Sequence, residues 1–298
     1  MAAVLSLLLL AAPFAATAGP APLPAIESSD RVLVIAPHPD DETLCCAGLL
    51  LQAQARGATV AVIWVTAGDG YRLDAMLEQH TVRPGAAAMR RLGNERLQEA
   101  HRAADRLGIP RELQFELGYP DRGLAALTGE YYSRPYHSEY TDTGSVPYAG
   151  AVHPGAAYTG ASLEQDLELL LGSFAPTLVL APAAEDRHPD HNASGLLVRR
   201  LLQRRGQLAS LRCWIVHAPD WPRPLGLHPE RALAPPRIAA ALRWRSLPLS
   251  RDERALKLTA LRDYRSQMDV MRLFLEAFVR SNELFALPGG PTGPAGGG

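Results

Sequence analysis

Apolar positions along the chain fall into blocks of two kinds. Short apolar runs cover Val32 to Ala36, Ala58 to Thr66 and Thr177 to Pro182, and Leu113 to Leu117 and Leu211 to His217, with polar residues among their apolar ones, read as two further strands. Such runs fit strands buried on both faces, the kind that build parallel sheets. Longer stretches with helical spacing follow them. One runs from Glu42 to about Arg56. The clearest is Ala86 to Leu107, where Met89, Leu92, Leu97, Ala100, Ala104 and Leu107 share a face and Gly108 and Pro110 stop the helix. Another leaves His191 for about Arg205. Ser162 with Gln165 reads as a capping box ahead of Leu163, Leu167, Leu170 and Leu171. Ser250 and Glu253 repeat that pattern ahead of Ala255, Leu258, Leu261 and Tyr264, and Met268 to Phe285 reads as one more amphipathic stretch. Strands and helices thus alternate, which predicts an α/β protein with a mostly parallel sheet.

Two segments break the pattern. Gly123 to Gly160 is rich in Tyr, Ser, Thr, Gly and Pro. Its tyrosines at 131, 132, 136, 140, 148 and 158 suggest a folded binding loop, whose rings could stack on sugar faces. Pro219 to Pro236 is proline-rich and reads as a rigid rim to a binding mouth. The ends also differ from the middle. Met1 to Ala18 is apolar and closes in Ala16-Thr17-Ala18, the form of a secretory signal peptide, although no Lys or Arg precedes Arg31. It is too short for a stable membrane span. The expected layout is a signal peptide over 1–18, a flexible lead-in over 19–30, one domain over 31–287 and a disordered tail over 288–298. Export to the periplasm or medium follows from the first of these.

Composition narrows the function. The chain has 298 residues, 47% hydrophobic and 20% charged, as in ordinary globular domains. Its formal net charge is −1 and it has no long basic run, which argues against a broad nucleic-acid footprint. No pattern specifies an oligomeric state. Cys45, Cys46 and Cys213 form no even disulfide framework, and none has zinc-finger spacing. Adjacent Cys45 and Cys46 are expected to remain separate apolar fillers in a buried helix.

The chemistry gathers at two strand ends. The Val32 run ends in Pro37-His-Pro-Asp-Asp-Glu42, and the Thr177 run is followed by Glu185, Asp186, Arg187, His188, Pro189, Asp190 and His191. Ligands of open α/β sheets bind at such carboxyl ends. The first cluster alone could simply be a helix start with acids complementing the dipole. Together the clusters supply His38, Asp41 and His191, a nitrogen/oxygen set of the kind that holds a catalytic zinc with one position open. Asp40, beside a ligand, would serve as general base and then acid. His188 would stabilise an oxyanion if protonated, or act as acid, with Asp190 fixing its orientation. Asp69, in Ala67-Gly-Asp-Gly70, reads as a plain turn residue, with a pocket role the alternative. His217 ends the Leu211 run and reads as structural, with a place in the pocket lining the alternative, and His153-Pro154, lacking the carboxylates, reads as a decoy. No dinucleotide or phosphate-loop pattern follows any strand.

The paired motifs, Pro37-His-Pro-Asp-Asp-Glu42 and His188-Pro-Asp-His191, resemble those of the PIG-L/LmbE-like de-N-acetylases. Weaker likeness extends through Asn94 to Glu99, Leu117 to Asp121 and Tyr264 to Gln267. The resemblance implies a Rossmann-like three-layer sandwich. It also implies a zinc-dependent hydrolase, with Fe2+ an alternative metal, that removes acetyl from N-acetylglucosamine-containing glycans or conjugates. It makes Arg96 a candidate to grip the sugar, where the plain reading is an ion pair with Glu99, and makes Asp121 an acceptor for sugar hydroxyls. Two other readings stand beside it: a zinc amidase or esterase for another acyl conjugate, and a metal-dependent carbohydrate-binding protein without catalysis. Retention of Asp40 beside the ligands speaks against the last.

Overall fold

A computed structural model describes residues 19–78 and 82–288. The expected signal peptide, 1–18, and all of the expected tail beyond Pro288 lie outside the described residues. In chain order the elements are β1 (Ala21–Pro22), β2 (Arg31–Ala36), α1 (Asp41–Ala55), β3 (Thr59–Thr66), α2 (Arg72–Glu78), α3 (Ala86–Arg106), β4 (Gln114–Tyr119), α4 (Leu124–Leu127), α5 (Gly160–Phe174), β5 (Leu178–Pro182), α6 (Pro189–Arg204), β6 (Leu211–Trp214), β7 (Arg243–Pro248), α7 (Arg251–Leu261), α8 (Arg265–Glu276) and β8 (Asn282–Leu287). They build one eight-stranded sheet in the order β1-β7-β8-β6-β5-β2-β3-β4. Strands β6, β5, β2, β3 and β4 run parallel, and β8 enters antiparallel between β6 and β7. This is the mostly parallel α/β fold that the alternating blocks predict.

The topology decides where the site can form. From β2 the chain steps outward through β3 to β4, then returns to lay β5 on the other side of β2. Val32, Leu33 and Val34 pair in parallel with Leu178, Val179 and Leu180. The order reverses between β2 and β5, so their carboxyl ends flank the crevice where ligands of such sheets bind. Both polar clusters leave the sheet there. Behind them, Val32 to Ala36 and Ala61 to Trp64 are fully buried, as strands covered on both faces require.

The structure departs from the sequence pattern in five places. The expected lead-in carries a short strand and one anchor, since β1 pairs with β7 and Ile26 is buried in the core. Helix α5 starts earlier than expected. Thr159 is its N-cap, accepting from Ser162 N at 3.0 Å, because Thr159 is the residue with extended backbone. The stretch Met268 to Phe285 is a helix and a strand, not one amphipathic element; α8 ends at Glu276 and Phe285 lies in β8. Short apolar runs buried on both sides carry no period that separates helix from strand. Strand β7 was not expected, since arginines interrupt its buried Trp244 and Leu247. Cys45 and Cys46 are joined in a vicinal disulfide, with Cα atoms 3.7 Å apart. Chain adjacency, which counted against a bridge, is what holds those two sulfurs together.

Two buried polar links tie the C-terminal elements to the strand ends. The fully buried Lys257 ammonium donates to Leu44 O at 2.8 Å and meets Glu283 Oε1 at 2.7 Å. The Glu283 carboxylate accepts in turn from Gly48 N and Leu49 N in α1. Glu42 accepts from Trp64 Nε1 at 2.9 Å and from the Tyr264 hydroxyl. Each buried charge therefore has partners, as burial demands. Together these links hold the start of α1 against α7 and β8.

Candidate metal centre

His38 lies in the turn after β2, and Asp41 is the first residue of α1. His191 lies in the first turn of α6, after β5. Three of their atoms form a small triangle. His38 Nδ1 is 3.2 Å from His191 Nε2 and 3.3 Å from Asp41 Oδ2, and His191 Nε2 is 3.1 Å from Asp41 Oδ2. Donors roughly 2.0–2.2 Å from a tetrahedral ion lie roughly 3.3–3.6 Å apart, so one divalent ion fits this triangle closely.

Carboxylates around the triangle orient its imidazoles. Asp186 Oδ2 takes His191 Nδ1 at 3.2 Å, which turns the Nε2 lone pair inward. His38 Nε2 faces Asp190 Oδ2 at 3.3 Å and Asp121 Oδ1 at 3.2 Å, which leaves Nδ1 for the triangle. His38, Asp40, Asp41, Asp121, Asp186, Asp190 and His191 are all buried, with Arg96 the guanidinium among them. Such a concentration of buried carboxylate favours a cation at its centre. Further donor groups overlap the triangle: His188 with His38 and His191, His217 with Asp41 and His191, and Asp121 and Asp190 with His38.

The two adjacent aspartates are pushed apart. Burial drives the Asp40 carboxyl well above its ordinary range, with Arg96 opposing and Asp41 adding. Asp41 goes the other way: against burial, His191 and His38 hold it well below that range. A pair divided in this manner separates a proton carrier from a permanent anion. The imidazoles respond to the same field. Burial alone would lower His191, but Asp41 and Asp186 outweigh it and hold the ring at about 9. Burial likewise opposes, and Asp121, Asp190 and Asp41 overcome, the change that raises His38 well above its ordinary value.

A testable consequence concerns pH. A metal taking the triangle must displace the protons these two rings hold. Apparent metal affinity should therefore rise as pH climbs toward about 9, by about tenfold per pH unit for each proton displaced. Chelator competition at several pH values measures the slope; a flat profile would count against the triangle as the binding position.

Several expected roles change once contacts are visible. The Asp190 carboxylate does not orient the His188 ring. Its side chain accepts from Arg122 N at 2.6 Å and Leu124 N at 3.0 Å and faces His38, because the first turn of α6 directs it inward. His188 caps α6, with Nδ1 accepting from Asp190 N at 3.2 Å, so its proton sits on Nε2. Burial, then His38, His191 and His217, push that ring down to about 2, which favours the neutral form of the two that the sequence left open. It can still donate a neutral N–H. Arg96 does not pair directly with Glu99. Its guanidinium donates to Gly68 O at 2.8 Å and Pro39 O at 2.9 Å and stands 3.4 Å from Asp40 Oδ2. Glu99 turns to Ser266, accepting from its N and Oγ. Asp121 accepts from Gly70 N at 2.9 Å as well as facing His38.

The triangle opens into a cavity of about 170 Å³. Asp40, Arg96, Asp121 and His188 give it a polar lining, and Leu44, Val216, Met271, Phe274 and Leu275 supply an apolar wall. None of the six tyrosines from the 123–160 segment lines it; Tyr71 does. Tyr148 and Tyr158 are buried as packing, and the Tyr148 hydroxyl bonds Asp69. Asp69 is thus more than a turn residue. It is buried, meets Asp121 N at 3.4 Å, and is pushed up to about 7 by burial and by Asp121. His153 meets Asp166, away from the cavity, as a decoy should. His217 lines the cavity, as its place at a strand end allowed. Asp186 and the α8 wall were not singled out from sequence as site residues, although Asp186 lies inside the second cluster.

Fold and site together define an α/β protein with a histidine–carboxylate centre at the carboxyl ends of parallel strands. Residues 33–202, more than half of the chain, match the PIG-L family, described as GlcNAc-PI de-N-acetylase. The chain belongs to that family. A 1D-myo-inositol 2-acetamido-2-deoxy-alpha-D-glucopyranoside deacetylase of Corynebacterium jeikeium (strain K411) is 27% identical over 188 residues, 60% of this chain and 52% of that protein. The chain thus spans about half the length of the curated relatives it matches. Among solved structures, the A40926 pseudoaglycone deacetylase Dbv21 aligns with a TM-score of 0.56 at 21% identity, over 87% of this chain and 96% of that one. The N,N'-diacetylchitobiose deacetylase from Pyrococcus horikoshii aligns with a TM-score of 0.53 at 19% identity, over 86% and 83%. At these identities the likeness is one of fold. Among the described residues no helix is long and apolar enough to cross a membrane.

Proposed function

We propose that the protein is a metal-dependent de-N-acetylase that hydrolyses the acetamide of an N-acetylglucosamine-type glycan or conjugate. The observation that carries this reading is the donor triangle of His38, Asp41 and His191 with Asp40 beside it. Family membership and the deacetylase names of the relatives support it. A divalent ion of zinc or ferrous type in that triangle would polarise the amide carbonyl and make a water more acidic. Asp40, whose carboxyl burial raises well above its ordinary range, takes the proton of the attacking water and returns it to the leaving amine. His188 directs a neutral N–H at the carbonyl oxygen as it gains charge. Arg96 holds Asp40 and the loops after β2 and β3 rather than being spent on the sugar alone. Asp121 braces His38 and presents its carboxylate to a sugar hydroxyl. The apolar wall excludes water behind the acetyl group.

Acetate release by the zinc- or iron-loaded protein tests the reading, over a panel of N-acetylglucosamine conjugates, esters and acetylated peptides. Turnover is expected on the sugars. Turnover confined to esters or peptides, or sugar binding without acetate release, would sink it.

We also propose that the chain is exported through residues 1–18, on the strength of the apolar stretch before Ala16-Thr17-Ala18. N-terminal sequencing of the native protein should find a start near Gly19; a soluble cytosolic form retaining Met1 would contradict it.

A further inference from the structure

We propose that His217 is a fourth protein donor to the metal that His38, Asp41 and His191 would hold, an inference that rests on the metal reading of the site. His217 lies three residues beyond β6, one strand across from β5, and its ring lines the cavity. One of its ring nitrogens, an Asp41 carboxylate oxygen and a His191 ring nitrogen all lie within 4.8 Å of one another. Small side-chain shifts bring donors at that spacing onto a common ion.

The ring is braced for the task. It stacks on Phe274 with centroids 5.9 Å apart and planes 14° apart, and meets His191 edge-on at 4.7 Å. Asp186 Oδ2 accepts from His217 N at 3.1 Å and from His191 Nδ1 at 3.2 Å. One carboxylate oxygen therefore orients the His191 ring and pins the His217 backbone beside it. Among the described residues neither ring nitrogen of His217 has a hydrogen-bond partner. A neutral imidazole facing a buried cluster of nitrogen and carboxylate donors, with its own lone pair uncommitted, is a ligand in kind.

Three imidazoles and one carboxylate suit a borderline transition ion such as Zn2+, Fe2+ or Co2+, rather than Mg2+ or Ca2+. Zinc centres expand from four to five donors during reaction. Substrate would then either add to the centre as a fifth donor or displace His217, whose ring has the cavity to swing into.

Three measurements on the full chain test this. X-ray absorption of the metal-loaded protein should count three imidazoles, and a count of two overturns the assignment. Chelator competition should show His217→Ala binding metal at least about tenfold more weakly, since loss of even an outer partner typically costs 10–100-fold. The visible absorption of the cobalt-loaded protein should change in the same variant. His191→Ala serves as the reference. If it keeps full metal occupancy, the metal reading itself falls, and the His217 assignment with it. If it loses metal while His217→Ala retains both affinity and cobalt spectrum, only the His217 assignment falls. Should His217→Ala fail to fold, the imidazole count in the unaltered protein decides.

Discussion

Asp40→Asn is expected to keep its metal and bind substrate while losing about 10²–10⁴-fold in kcat, the usual contribution of general acid–base help. Asparagine preserves the size of the side chain and can still accept from Arg96, which stands 3.4 Å from Asp40 Oδ2. It cannot take a proton from water as a carboxylate does. The missing interaction belongs to the transition state, so the loss should fall on kcat rather than KM. Elemental analysis with steady-state kinetics checks both halves. A variant that sheds its metal, or turns over normally with metal bound, would show that Asp40 and Asp41 do not divide the work as proposed.

His191→Ala should fail in a different manner, by losing the metal itself. It removes one corner of a triangle whose sides are 3.1 to 3.3 Å and leaves Asp41 and Asp186 without their shared partner. Activity should drop with metal content and stay low at ordinary metal concentrations. Asp41→Asn should be milder, because an amide oxygen still ligates weakly, and excess metal should restore part of its activity. Excess metal should do nothing for Asp40→Asn. Unchanged metal content in His191→Ala would remove that residue from the centre.

Much of this arrangement is legible in the sequence because it depends on short-range features. The runs Val32 to Ala36 and Thr177 to Pro182 are apolar without alternation, which marks strands covered on both faces, and each ends in a polar cluster. Two such ends meet wherever the strands are neighbours, and β2 and β5 are. What the pattern hides depends on direction and partners. Asp190 was expected to serve His188, two residues away, but the turn of α6 points it at His38 from the other cluster. For His188 the sequence left a cation and a neutral acid open, because the choice turns on burial and on three histidines brought near from the ends of β2 and β6 and from α6. The α8 wall was hidden because Met268 to Phe285 carries one amphipathic signature across a helix and a strand. The tyrosine-rich segment misled in the opposite sense, since ring content does not distinguish packing, as for Tyr148 and Tyr158, from a binding face.

Asp40 also holds an uncommon backbone conformation, φ 116° and ψ −30°, outside the regions open to residues with a side chain. Such a conformation costs on the order of 1–3 kcal/mol, and a glycine would adopt it with little strain. Stability and the proton transfer proposed for Asp40 therefore make opposite demands on this one position. A laboratory selection for heat resistance, run without a screen for turnover, would be drawn toward Asp40→Gly and would return a sturdier protein with its proton carrier gone.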